Sequence, residues 1–143
     1  MEIKETKKQR RARQEKFVWA QGKYPPYDGK ETQMQEAFTT WMRLEHKGLW
    51  PWWHTANERK GNIQHGAQLK RMGVLGGVSD IYIPKLNLLI ELKVGSNVAS
   101  TEQLNFLEGL MEVRRCFICY SLDAARELVN DYCKKDKILR KEV

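Results

Sequence analysis

Asp80, Glu91 and Lys93 are the residues whose types and spacing most clearly admit chemistry. They sit in two short β-rich runs, VSDIYIP and LLIELKV, separated by PKLN. Side chains alternate faces along a strand, so Glu91 and Lys93 share one face while Ile90 and Leu92 turn to the core. A turn centred between Lys85 and Leu86 pairs residues whose numbers sum to 171, which sets Asp80 opposite Glu91. Their Cβ atoms would then stand about 4.5–5.5 Å apart, where like charges destabilise the pair unless a cation lies between them. A hard divalent ion that takes oxygen ligands, Mg²⁺ or Mn²⁺ in its place, fits that need. Lys93 on the same face offers a positive charge to a water or a phosphate. A slip of one residue would undo the pairing. The plainer alternative is an exposed strand face on which Glu91 and Lys93 form a weak ion pair.

These two runs must be held by the segments around them. Residues 31–47 are expected to be helical, with Ala37, Phe38, Trp41 and Leu44 at helical spacing and Gly48 as the stop. LWPWWHT (49–55) is extended, since Pro51 excludes helix. Residues 57–62 form a polar loop, 63–72 a short helix, and 73–77 a glycine-rich approach to the first run. The two runs form an antiparallel hairpin. Ser100-Thr101-Glu102-Gln103 matches a capping box, and the helix it opens carries Leu104, Leu107, Leu110 and Met111. Residues 116–120 form a strand. A last helix starts at Ser121 or Leu122, with Ala125, Leu128, Val129 and Tyr132 on one face. This order of elements predicts a mixed α/β domain.

The chain has 143 residues, one domain's worth, and 30% of them are charged. No apolar run reaches the roughly 20 residues that span a bilayer, and the charged start is not followed by the apolar segment of a secretory signal. No membrane partner is therefore expected. Three cysteines, an odd number, argue against a disulfide framework and for a reducing cytoplasm. The net charge of +7 is concentrated at the ends: residues 1–16 carry +4, residues 134–143 carry +3, and the middle sums to zero. Such ends suit a polyanion, or serve as solvated tails. The expected division is a basic N-terminal arm over 1–27, partly disordered or helical, a domain over 28–133, and a basic tail over 134–143.

Other motifs carry less. Cys116 and Cys119 are three apart in a strand and point to opposite faces, so they cannot share a zinc, and Cys133 alone does not rescue the site. They are expected as buried apolar residues. His46 reads as a helix-end residue, His65 as surface, and His54 as part of a polar loop facing nucleic acid. Trp50, Trp52 and Trp53 could stack on bases, or fill a core or a dimer interface. The glycines at 73, 76 and 77 are not followed by Lys-Ser/Thr, which excludes a Walker loop.

Gly77-Val78-Ser79-Asp80, then Ile90-Glu91-Leu92-Lys93, then Ser100 to Gln103, resembles the PD-(D/E)XK nuclease pattern. More narrowly, it resembles the VRR-NUC domain of small standalone phage proteins. Glu31-Thr32-Gln33-Met34-Gln35 stands where that family has its first helix, with Trp41 a turn and a half later. The His54 to Arg59 loop and the Leu69 to Gly73 segment are also similar. The likeness covers about residues 30–133. Ser79 departs from the family's usual proline, which loosens the turn into Asp80 but removes no ligand.

The resemblance implies a restriction-endonuclease-like core, a mixed sheet flanked by helices. It implies metal ligation by Asp80, Glu91, Glu31 and the Leu92 backbone carbonyl, with Mg²⁺ or Mn²⁺ as cofactor. Lys93 and Gln103 complete the implied catalytic set. Glu36 is the rival to Glu31; it lies about 140° around the helix, so both cannot face inward. Gln35, one turn from Glu31, joins His54, Asn57, Arg59, Lys70 and Arg71 as candidate nucleic-acid contacts, with Lys7, Lys8, Arg10, Arg11 and Arg13 from the arm. The implied activity is metal-dependent endonucleolytic cleavage of DNA to 5′-phosphate and 3′-hydroxyl ends, on branched structures such as four-way junctions or flaps. A homodimer, joined through the Trp-rich segment or the last helix, follows from paired cutting. The setting implied is the cytoplasm of a phage-infected bacterium. Alternatives are a nicking or restriction-like nuclease on plain duplex, and a non-catalytic DNA-binding module of the same fold.

Overall fold

A computed structural model of the chain describes residues 3–55, 63–73 and 75–138. Five helices and four strands are formed among them: α1 (Lys7–Gln14), α2 (Glu31–Glu45), β1 (Trp53–His54), α3 (Ile63–Arg71), β2 (Ile81–Ile83), β3 (Leu88–Leu92), α4 (Thr101–Leu110), β4 (Arg115–Cys119) and α5 (Leu122–Lys135). The sheet order is β1-β2-β3-β4, antiparallel except for the β3/β4 pair, which is parallel. The protein is thus a mixed α/β domain. No helix among the described residues is long and apolar enough to cross a membrane.

The hairpin register is the expected one, with Ile81 opposite Ile90, Tyr82 opposite Leu89 and Ile83 opposite Leu88. The turn closes because Asn87 adopts the left-handed conformation at φ 51°, one of the few non-glycine types that does so readily. Asn87 also ties the turn down, its side-chain amide donating to the Val113 carbonyl at 2.9 Å.

Helices cover both faces of the sheet. On one, Met34, Phe38 and Met42 of α2 and Ala125, Leu128 and Val129 of α5 pack with Ile81, Ile83, Leu88, Ile90 and Leu92. On the other, Phe17, Ala99, Leu104 and Leu107 pack with Leu89, Cys116 and Ile118. Strand β3 is therefore buried at every residue, as a strand between two helical layers must be. The Glu91 face is a covered face, not the open surface of the plainer alternative. The core stripe of α2 is Met34-Phe38-Met42; Leu44 is 66% exposed and outside it.

The N-terminal segment is not an arm. Thr6 and Gln9 form a capping box that starts α1. Buried Gln14 accepts from the Ala99 N–H at 3.0 Å and donates to the Tyr120 hydroxyl at 2.6 Å. Phe17 is buried, and Val18 bridges Ile118 in parallel, one strand position beyond β4. Basic residues there are partly consumed inside the fold. Arg13 pairs with Glu5 and Glu108, at 2.7 and 2.5 Å, and Lys16 with Glu108 at 2.6 Å. The expected boundary near residue 28 fails because Phe17 and Val18 complete the second core while Trp19 and Ala20 pack against the first.

The expected tail is likewise integrated as far as it is described. Lys134 and Lys135 end α5, Asp136 pairs with Arg115 at 2.6 Å, and Ile138 packs on the first core cluster. The apolar face of α5 is spent on the sheet and α2, so it is not available as a dimer interface. Cys119 and Cys133 lie in the first cluster and Cys116 in the second, none of them in a disulfide. His46 is a core residue as well as a helix end: its Nε2 lies 2.9 Å from Asn130 Oδ1, and its ring meets Trp41 edge-on. Trp52 packs on Phe38 and Trp53 on Tyr82, while Trp50 is 73% exposed.

Candidate metal centre

Strands β3 and β4 run parallel, so the chain leaves both at the same end of the sheet, and β2 enters there. Asp80 stands immediately before β2 and Glu91 near the end of β3. Helix α2 begins at Glu31 and α4 one residue after its Ser100 cap. One carboxylate oxygen each from Glu31, Asp80 and Glu91 lies within 4.8 Å of the other two. Glu31 is half-buried while Glu36 is exposed, which settles which first-helix glutamate the fold brings inward.

The site is pre-organised by backbone donors. The Leu92 N–H donates to Asp80 Oδ2 at 2.8 Å, and the Asp80 N–H donates to Glu91 Oε2 at 3.2 Å. Gln103 works at both ends. Its Oε1 accepts from the Ser100 N–H at 2.9 Å as half of the capping box, and its Nε2 donates to Glu91 Oε1 at 2.8 Å. The cap that starts α4 thus also orients the Glu91 carboxylate. Lys93 Nζ lies 3.7 Å from Glu91 Oε1.

Asp80 is 5% exposed, Glu91 1% and Lys93 9%. Three carboxylates against one ammonium leave the pocket short of positive charge. Burial raises the Glu91 carboxyl well above its ordinary value, and the neighbouring Asp80 charge adds to it. Burial also raises Asp80, opposed by the Leu92 N–H and by the charges of Lys93 and His54. Glu31 is raised by burial and by Asp80. These are groups that want protons or a cation, and an all-oxygen donor set of this size suits a hard divalent ion.

This electrostatic debt has a measurable sign. Above the ordinary carboxylate value of 4.5, the unfolded chain has released the Glu91 proton while the folded chain keeps it. Stability in EDTA should therefore fall as pH rises from about 5, by up to about 1.4 kcal/mol per unit, until the folded group ionises too. Glu108, held down to about 2 by Arg13 and Lys16, acts in the opposite direction and only below that window. Urea unfolding from pH 5 to 8 should show the decline in the native protein and a flatter profile in Glu91→Gln. Equal slopes would place the charge deficit elsewhere.

Gly77, in the glycine-rich approach to Asp80, positions the carboxylate cluster although it carries no side chain. Its φ is +79°, and a Cβ there would lie 2.6 Å from the Glu102 carbonyl carbon and 2.8 Å from the Gln103 nitrogen. Only a residue without a side chain lets the approach to Asp80 pass under the first turn of α4. Gly77→Ala should cost about 2–3 kcal/mol, combining left-handed strain with a backbone clash. Gly73→Ala is the control, since Gly73 has φ +88° with open space around it; it should cost about 1 kcal/mol. Equal losses in urea unfolding would remove the clash from the account.

The remaining candidates are distributed unevenly. His54 lies on β1 with its charge felt at Asp80, and the adjoining Thr55 N–H donates to the Asp80 carbonyl at 2.6 Å. The Leu92 side chain is core, while its backbone adjoins Asp80. Gln35 is half-buried one turn beyond Glu31. Arg10 donates to the Ala99 carbonyl at 2.8 Å, and Arg11 reaches the Ser96 carbonyl at 3.5 Å, so both stand over the loop joining Lys93 to Gln103. Lys7 and Lys8 are exposed on α1, and Lys70 and Arg71 on the last turn of α3. Arg13, paired to two glutamates, is not a free phosphate contact. Asn57 and Arg59 lie outside the described residues.

No protein-family model, curated protein or solved structure matches the chain.

Proposed function

We propose that this protein is a divalent-metal-dependent endonuclease of the PD-(D/E)XK type, similar to VRR-NUC domains, that hydrolyses DNA phosphodiester bonds. The observation that carries the reading is the convergence of Glu31, Asp80 and Glu91, from three separate elements, on one point beside Lys93. Asp80, Glu91, Glu31 and the Leu92 carbonyl would hold Mg²⁺, with Mn²⁺ as substitute. When bound, such an ion lowers the pKa of water and offsets charge on phosphate oxygens.

The chain's own residues supply the rest. Gln103 and the Asp80 N–H fix the Glu91 carboxylate, and the Leu92 N–H fixes Asp80. Fixed ligands mean that little reorganisation is needed when the phosphate arrives. The Lys93 ammonium can orient the attacking water and stabilise negative charge on the phosphoryl oxygens. The first turns of α2 and α4 open at the same end of the sheet, where helix N-termini favour an anion. Arg10 and Arg11, with Lys7 and Lys8 on the same helix, extend positive charge from that end along a nucleic-acid backbone. Branched DNA and a two-fold homodimer remain the favoured substrate and assembly; the exposed Trp50 is available for the latter.

The test is cleavage of 5′-labelled duplex, single strand, flap and four-way junction with Mg²⁺, Mn²⁺, Ca²⁺ or EDTA. Lys93→Ala separates the roles: it should abolish cutting while Mg²⁺ still raises the melting temperature. Binding of DNA without cutting under every metal would instead identify a non-catalytic module.

A further inference from the structure

A cavity lies not at the carboxylates but beside the segment that follows Lys93. It has a volume of about 290 Å³ and is lined in part by Arg11, Trp19, Tyr24, Gly95, Ser96 and Tyr120. Its place follows from the sheet. Gly95 and Ser96 follow Lys93 by two and three residues, a reach of at most about 10 Å. Tyr120 follows Cys119, whose carbonyl accepts the Lys93 N–H at 3.0 Å. Arg11 closes one side by reaching the Ser96 carbonyl.

The aromatic wall is rigid. The Tyr24 hydroxyl donates to Glu127 Oε2 at 2.8 Å. The Tyr120 hydroxyl accepts from Gln14 and donates to the Asn97 carbonyl. Both phenol ends are thereby engaged, so the rings contribute fixed apolar surface. Trp19 is held edge-on by Phe117, at 5.5 Å between centroids, and its buried indole N–H has no protein acceptor. At this volume the cavity takes a group of about one base in size. A cation at the rim with rings behind it suits a flat heterocycle attached to a phosphate.

The geometry points to a pocket for one unpaired nucleobase, displaced from the helix beside the scissile phosphate. The inference rests on the nuclease reading and deepens it: the chain selects DNA carrying an unpaired nucleotide near the cut, as branch points and bulges do. Trp19 and Tyr24 come from residues 1–27, which makes that segment part of the recognition surface.

The experiment compares binding in Ca²⁺ to a fully paired duplex and to the same duplex with one unpaired adenine, replaced by 2-aminopurine for a second readout. The readout is the ratio of the two affinities. Stacking of one base on aromatic side chains gives about 5- to 150-fold. The native protein should show a ratio of about ten or more, with quenched 2-aminopurine. Tyr24→Leu removes one ring, and Ser96→Trp, at an exposed position, fills the mouth. Either should bring the ratio to below about three and restore the fluorescence, with urea unfolding as the folding check; if Tyr24→Leu is unfolded, Ser96→Trp carries the test. A ratio near one in the native protein, or a preference that survives both variants, overturns the pocket and leaves the nuclease reading standing. A native protein that binds no DNA overturns the nuclease reading, and the pocket with it.

Discussion

Glu91→Gln is expected to shift cutting and stability in opposite directions. Cleavage in Mg²⁺ should fall by about 10³-fold or more. A metal-held carboxylate contributes several kcal/mol of charge stabilisation, and each 1.36 kcal/mol is tenfold in rate. The metal-free protein, by contrast, should become more stable at pH 8, on the order of 2 kcal/mol, because a buried carboxylate is replaced by a neutral amide. Glutamine keeps the shape of the side chain and one acceptor oxygen, so one of the two bonds, from Gln103 to Oε1 or from the Asp80 N–H to Oε2, is kept and the other is lost, which offsets part of the gain. Magnesium should raise the melting temperature of the native protein more than that of the variant. Two assays check this together: cleavage of labelled DNA, and urea unfolding in EDTA and in Mg²⁺. Destabilisation with lost cutting would show Glu91 to be a structural carboxylate. Unchanged cutting would remove it from the metal site.

The second large effect is deletion of residues 1–16. If these were solvated tails, the shortened protein would keep its stability and lose only affinity for polyanions. The structure predicts a loss on the order of 3 kcal/mol or more. Deletion removes α1, which holds to Ala99 and α4 through Arg10 and Arg13, and leaves Phe17 of the second core at a free chain end; loosening one such side chain forfeits up to about 1.5–3 kcal/mol. It also removes Gln14 from the buried Ala99 N–H, and a lost buried hydrogen bond costs about 1–3 kcal/mol. The Arg13–Glu108 and Lys16–Glu108 pairs add little, being partly exposed. Urea unfolding at neutral pH measures the difference. A midpoint within experimental error of the native protein would restore the tail description.

Why part of this was readable and part was not can be traced to particular residues. The hairpin register follows from local rules: two β-rich runs, a short turn, and a side-chain period of two. That is why Asp80 and Glu91 could be set opposite each other from numbers alone. The capping box at Ser100 and Gln103 is local too, and it holds. Composition misled at the N-terminus, because seven basic residues in the first sixteen outweigh Gln14 and Phe17 in any charge count. Their burial depends on Ala99, Ile118 and Tyr120, beside α4 and along β4, 85 to 106 residues away in sequence.

The sequence by itself determined the mixed α/β order of elements, the pairing of the two central strands, and which polar residues could serve a cation. Each rests on interactions between residues close along the chain, where backbone geometry limits the choices. Only the tertiary structure decided that Glu31 and not Glu36 completes the cluster, that the Glu91 face is covered, and that the N-terminal segment is part of the domain. Those outcomes depend on how helices pack across a sheet. The rotation of α2 is set by Met34, Phe38 and Met42 seeking the core, and Glu31 is carried inward as a consequence.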